Sequence, residues 1–258
     1  MILSRRQLLR TSGLLAAAVP LSGCKLFDPW LGSGHPVHDT MARANGLTKG
    51  VQDWLKGDAL APEFSQSDIR QGQKPNGSLD PQTSDYLLLK AQNFRDYRLV
   101  VSGLVEKPLS LSLTELQAMQ ARTQITRHDC VEGWSCIAKW TGTPLALVLD
   151  AAVVKPEANF VVFRCFDTLG GGLSGPLPYY ESIDMGDARH PQTILAYGMN
   201  DSALPVPNGA PLRVRVERQL GYKMAKYISG IELVANFADI GGAGSYWADA
   251  GYDWYAGI

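Results

Sequence analysis

From residue 97 onward the chain carries regular apolar patterning. Residues 97–105, Tyr-Arg-Leu-Val-Val-Ser-Gly-Leu-Val, are rich in branched apolar side chains and predict a strand. Ser112-Leu113-Thr114-Glu115 has capping-box spacing and predicts the start of a short helix. A second strand is expected over 123–131. Pro144 followed by Leu145-Ala146-Leu147-Val148-Leu149 suits a helix with proline in its first turn. Residues 159–166 read as a buried strand and 182–188 as a short helix. Leu212-Arg213-Val214-Arg215-Val216 alternates with period two, which predicts a strand with one wet or ligand-facing side. Residues 227–235 form the last expected strand. Strands and short helices interleave irregularly, so the expected class is one mixed α+β domain.

Before residue 86 the pattern is different. Residues 25–85 are rich in Gly, Pro, Asp, Ser and Gln and read as a tether and irregular wrapping segment. Arg5-Arg6 precedes a moderate apolar run over 14–21, and Leu21-Ser22-Gly23-Cys24 resembles a bacterial lipobox. The expected organisation is therefore a twin-arginine lipoprotein signal at 1–23, the tether at 24–85 and a catalytic domain at 86–258. Cleavage would leave a lipid on Cys24, and the protein would be anchored at the periplasmic membrane face or the cell surface without a spanning helix. Residues 241–258 hold Gly244, Tyr246, Trp247, Gly251, Tyr252 and Trp254, a density that suggests docking on the body.

Composition narrows the function. The 258 residues include 24 Lys and Arg against 25 Asp and Glu, a net charge of -1 with no electrostatic footprint for nucleic acid. Four cysteines are too few for a disulfide scaffold. No Cys-x-x-Cys-His occurs, so no c-type haem is expected in this chain.

Candidate chemistry concentrates in residues 127–136, where Cys130 and Cys136, His128, Asp129 and Glu132 lie close together. A cysteine at a strand end before a glycine turn can present its sulfur to a soft metal. A Cys130–Cys136 disulfide, a zinc site with His128, and inert buried thiols are the other readings. Gly170-Gly171-Gly172 could curl round an anion or be an ordinary loop. Arg213, Arg215, Lys223 and Lys226 flank a short connection and could converge on a phosphate or form a solvated basic face.

Several collinear segments resemble the sulfite oxidase superfamily of molybdopterin enzymes, most closely the catalytic subunits of periplasmic protein-methionine-sulfoxide reductases. They are residues 102–109, 127–140 and 170–173, His190-Pro191, residues 208–213 and Gly221-Tyr222-Lys223. The resemblance implies the mixed-sheet molybdopterin-binding fold and a molybdenum–molybdopterin cofactor. It makes Cys130 the molybdenum ligand and places Glu132 and Trp134 beside the metal. Glu132 would be a proton donor if burial raises its pKa, or otherwise a structural acceptor. Asn208, Arg213, Gly221, Tyr222, Lys223 and Lys226 match the group that holds the pterin and its phosphate. Asn76 matches an N-terminal cofactor contact, and Cys165 stands where the reductase branch usually has threonine on the cofactor wall. The Cys-Ala-Gly-Asn pattern of sulfite oxidases is replaced by Cys130-Val131-Glu132-Gly133.

About two dozen residues follow the last expected strand, so the resemblance implies no C-terminal dimerisation domain, and a monomer. The implied activity is oxygen-atom transfer, with reduction of an S-oxide or N-oxide preferred over sulfite oxidation. Electrons would be exchanged with a separate redox partner: a membrane haem protein, a quinone-linked subunit or a periplasmic cytochrome. A non-catalytic lipoprotein binding or assembly module is the reading from another class.

Overall fold

The computed structural model describes residues 59–172, 175–238, 240 and 242–258, together with Thr40, Ala44, residues 46–52, Trp54 and Gly57. The signal and lipobox lie outside the described residues. The chain divides into two units, Met1–Thr48 and Lys49–Ile258. In the first, the described residues are helical, and the Thr48 hydroxyl donates to Ala44 O over 3.0 Å.

The second unit contains two five-stranded sheets. The first has the order β2 (Leu109–Ser112), β1 (Arg98–Gly103), β10 (Ile228–Val234), β5 (Phe160–Gly172) and β6 (Gly175–Asp184). Its β1–β10 pair is parallel and the remaining pairs antiparallel, so the sheet is mixed. The second runs β3 (Arg122–Asp129), β4 (Ser135–Pro144), β7 (Ile194–Met199) and β8 (Ser202–Ala203), with β9 (Arg213–Arg215) also on β7. The main core joins Leu99, Val101, Phe163, Ile231 and Leu233 of the first sheet to Leu195 and Val214 of the second.

Local sequence explains most elements. In β1, Leu99 and Val101 alternate inward between exposed neighbours. After helix α1 (Ser84–Ala91), helix α2 (Leu113–Ala118) opens on the expected capping box. There Ser112 Oγ accepts from Glu115 N at 3.2 Å, and the Glu115 carboxylate accepts from Ser112 N at 2.7 Å. Helix α3 (Leu145–Ala152) buries Leu145, Val148, Leu149 and Ala152, one helical face. Each of its larger side chains contributes about 1.5–3 kcal/mol by leaving water. It stops where Val153 turns left-handed.

Three expectations are revised. The helix at 182–188 is displaced: β6 continues to Asp184, whose carboxylate then caps helix α4 (Met185–Arg189) by accepting from Asp187 N at 2.9 Å. Strands β4 and β7 were not apparent from patterning. β4 mixes Ser, Lys, Thr and Gly with its apolar positions, and it is held as a strand by partners on both sides. The glycine run at 170–172 ends β5, and Gly172 pairs with Gly175 of β6. That run has Gly-x-Gly-x-x-Gly spacing. It lies in a hairpin rather than between a strand and a helix, so it is not a dinucleotide fingerprint.

The tail docks. Helix α5 (Tyr246–Asp249) lies on the body, Trp254 Nε1 donates to Ser182 Oγ at 2.8 Å, and Leu220 N donates to Ala256 O at 2.9 Å. Gly103 shows why β1 ends on glycine. Its φ is +82°, and a Cβ there would sit 2.3 Å from Leu233 O. Gly103→Ala is expected to cost about 1–3 kcal/mol from overpacking, beyond about 1–2 kcal/mol of left-handed strain. Gly72→Ala, at φ +70° with open space around it, should show the strain alone. Denaturant unfolding of the two variants measures the difference.

Candidate cofactor-binding site

A cavity of about 360 Å³ opens at the seam of the two sheets. Its walls come from the 76–78 loop, the β3–β4 turn, the end of β5, the 3₁₀ turn Gly221–Lys223, Lys226 and the aromatic tail. The β3–β4 turn is tight: Cys130 N donates to Trp134 O at 2.9 Å, Gly133 N donates to Cys130 O at 3.0 Å, and Gly133 has φ +82°. This geometry puts Cys130, Val131 and Glu132 into the cavity wall. The Cys130 thiol is half-buried, and burial raises its pKa while the N–H groups of Glu132 and Val131 oppose that. Cys130, Cys136 and Cys165 are free thiols, which removes the disulfide reading. Among the described residues no three His, Cys, Asp or Glu side chains gather as a metal site, so the zinc reading has no support.

Beneath the cavity lies a cluster of buried cations. Arg213 and Arg215 stack over the Trp140 ring, with guanidinium carbons 5.0 and 4.5 Å from its centroid. Arg215 grips Glu217 with two hydrogen bonds of 3.0 and 2.7 Å. Among the described residues Arg213 hydrogen-bonds to carbonyls alone: Asn208 O at 2.9 Å and Met224 O at 3.4 Å. Burial, and then the charge of Arg215, lower its pKa to about 9. Lys226 Nζ donates to Ser78 O and to Pro207 O. Burial, and then Arg213, lower its pKa to about 7.

Most of the sequence-derived residues converge. Asn76, Cys130, Glu132, Gly221, Tyr222 and Lys226 line the main cavity. Asn208 and Arg213 line a small cleft that also reaches Asn76. Three residues are placed otherwise. Lys223 is fully buried in an ion pair with Glu181, 2.5 Å away, and lies 4.9 Å from the Trp254 ring centroid. Cys165 packs against the core and does not line the cavity. Trp134 does not line it either; its Nε1 donates to Glu132 Oε2 at 2.9 Å. Glu132 is exposed, and the Trp134 hydrogen bond, followed by Lys74, lowers its pKa. The condition for proton donation, a pKa raised by burial, is therefore not met.

Asp167, Tyr179 and Ser78 also line the cavity and were not singled out from sequence. Burial raises the pKa of Asp167, which accepts from Ser78 Oγ at 2.7 Å. His128 and Trp140 join the cleft. The one available signal was the Arg-Val-Arg-Val-Glu alternation at 213–217, which puts three charges on one strand face.

A family model described as an oxidoreductase molybdopterin binding domain matches residues 87–239, and the chain belongs to this family. It is a molybdopterin-binding oxidoreductase. The chain is 33% identical, over 98% of its length and 88% of the relative's, to a putative protein-methionine-sulfoxide reductase subunit YedZ1 of Azospira oryzae. It is 37% identical to the protein-methionine-sulfoxide reductase catalytic subunit MsrP of Campylobacter jejuni, over 55% of this chain and 51% of that one. With the MsrP of Xanthomonas campestris the identity is 41%, over 52% and 44%. The chain thus spans about half the length of these MsrP relatives. The sulfane dehydrogenase SoxCD of Paracoccus pantotrophus superposes on 55% of this chain and 39% of its own with TM-score 0.48 and 24% identity.

The residues present fit that cofactor. Molybdopterin offers an anionic phosphate and soft sulfur chemistry. Here, among the described residues, Arg213 and Lys226 are buried without a carboxylate in hydrogen-bond contact, and the Cys130 thiol stands in the same cavity wall as Lys226.

Two predictions follow from these placements. Lys226 carries a pKa of about 7 in the fold against 10.5 ordinarily. Between those values the unfolded chain binds the proton and the folded chain does not, so cofactor-free stability should rise with pH. The penalty, on the order of a few kcal/mol, is fully present below pH 7. Lys226→Met should flatten that slope in unfolding measured at a series of pH values. Separately, Lys223→Met should cost about 3–5 kcal/mol by stranding Glu181, and Glu181→Leu in the same chain should recover much of it. A phosphate ligand at Lys223 would instead show as lost cofactor that the second change does not restore.

Proposed function

We propose that the chain is an extracytoplasmic molybdenum–molybdopterin oxidoreductase that removes oxygen from an S-oxide, with an N-oxide as the related substrate class. The observation that carries this is one cavity holding the Cys130 sulfur and the buried Lys226, with Arg213 on a small cleft that shares Asn76 with it, neither cation hydrogen-bonded to a carboxylate among the described residues. When bound, the cofactor supplies the two-electron redox centre that accepts the oxygen atom. Cys130 is the protein's ligand to the metal. Arg213, Lys226, Asn208 and Asn76 hold the pterin and its phosphate. The net reaction takes two electrons and two protons and releases water with the reduced sulfide.

The cavity wall favours a neutral S-oxide over sulfite. Val131, Leu169, Met224, Tyr179, Tyr246, Trp247 and Tyr252 make it largely apolar and aromatic. Sulfur substituents pack well against aromatic rings, whereas a largely apolar wall does not replace the hydration that a sulfite dianion gives up. The relatives named as methionine-sulfoxide reductase subunits support the same direction. Glu132, ionised at the wall, acts as an acceptor that orients Trp134.

Electrons come from a separate membrane or periplasmic redox protein. Export through the Arg5-Arg6 signal, lipidation at Cys24 and a monomeric state complete the proposal. No helix among the described residues is long and apolar enough to cross a membrane.

Metal and pterin analysis of protein from a molybdate-supplied host with twin-arginine export tests the core of this reading. About one molybdenum and one pterin per chain is expected, and Cys130→Ser should lose the metal or change its spectrum. With a reduced viologen as donor, a methionine sulfoxide substrate should be turned over. Oxidation of sulfite with an artificial acceptor, and no sulfoxide reduction, would reverse the direction. A well-folded protein with no metal and no pterin would leave the binding-module reading.

A further inference from the structure

The cations beneath the cavity dictate how one histidine is protonated. Arg215 Nη1 lies 2.9 Å from His128 Nδ1. A guanidinium only donates, so Nδ1 must accept and the ring proton must sit on Nε2. Glu217 holds the guanidinium in that orientation through its two hydrogen bonds. Arg215 and Glu217 side chains are both fully buried, so water does not compete for the arrangement.

Among the described residues the resulting Nε2–H has no partner, although His128 is only 5% exposed. Trp140 Nε1 and Arg213 Nε are in the same condition, each residue 2% exposed. All three residues line one small cleft with Asn76 and Asn208. The cleft is small and shares Asn76 with the main cavity. Buried donors without acceptors are costly, and a set of three on one cleft is a cradle for an acceptor-bearing ligand. Gly221 shows how tightly the imidazole is placed: a Cβ there would lie 2.3 Å from Nε2. The glycine is required for close approach of the ring.

We propose that His128 and Trp140 are cofactor ligands. Their N–H groups donate, alongside Arg213, to acceptor atoms of the bound molybdopterin, and Arg215 and Glu217 are positioning residues that fix the His128 tautomer. This rests on the cofactor reading above and adds ligands to it.

The test compares wild type, His128→Phe, His128→Gln and Trp140→Phe, all as full-length protein loaded in the cell. The primary readout is the rate at which molybdenum and pterin leave the protein. His128→Phe and Trp140→Phe should each lose cofactor at least about tenfold faster, the factor a hydrogen bond of about 1.4 kcal/mol represents. His128→Gln keeps an acceptor for Arg215 and a donor for the cleft, and should stay within about threefold of wild type. A second readout needs no substitution. In wild-type protein labelled with ¹⁵N-histidine, the His128 Nε2–H should be visible as that tautomer. It should shift downfield and exchange more slowly in loaded than in cofactor-free protein. Equal retention in His128→Phe and wild type, or an Nε2–H signal unaltered by loading, overturns the inference while leaving the cofactor reading intact. A wild-type protein empty of metal and pterin overturns both.

Discussion

Buried positive charge is the constraint around which this protein is arranged. Arg213, Arg215 and Lys226 are all withdrawn from water, and among the described residues only Arg215 has a carboxylate in direct contact. Burying an unpaired cation is expensive, and the fold moderates the cost with backbone carbonyls, with the face of Trp140 and with depressed pKa values. An arrangement of this kind is stable enough to exist and remains short of negative charge. It is therefore prepared for an anionic ligand before any ligand arrives.

The two sheets divide the work of building the cavity. The second sheet supplies Cys130 at the β3–β4 turn, and Arg213 of β9 lines the small cleft that shares Asn76 with the cavity. The first supplies Asp167 and Leu169 from β5. Lys226 lies on the link between β9 and β10, and an isolated bridge pairs it with Arg213. A cavity at such a seam draws on residues more than a hundred positions apart. Its shape thus depends on the packing of the core that holds Leu195 and Val214 against Phe163 and Ile231. The tail closes the remaining side with Tyr246, Trp247 and Tyr252, tied down through Trp254 and Ser182.

Lys223 and Lys226 show what proximity in sequence conceals. Both follow the Gly-Tyr pair, and both looked able to meet a phosphate. The 3₁₀ turn at Gly221–Lys223 rotates them apart: Lys223 faces Glu181 and Trp254, whereas Lys226 reaches the cavity. Glu132 is a parallel case. Its position beside Cys130 suggested a buried acid, but it stands exposed on the cavity wall, where Trp134 and Lys74 lower its pKa.

The sequence alone determined the elements with strong local signals. The alternation in β1, the capping box of α2, the apolar face of α3 and the family motifs around Cys130 and Arg213 were all legible in it. These features depend on neighbours within a few residues, or on residue types that few chemistries demand together. Tertiary structure decided the rest. β4 interrupts its β-favouring Ile137, Trp140, Thr141 and Thr143 with Lys139 and Gly142, and pairing with β3 and β7 on both sides holds it as a strand. Lys223 was separated from Lys226, and His128 was joined to Arg215 across 87 positions, by sheet packing. The physical reason is the same in each case. The free energy of a buried polar group depends on the partners that arrive from elsewhere in the chain, and those partners are not written in its own neighbourhood.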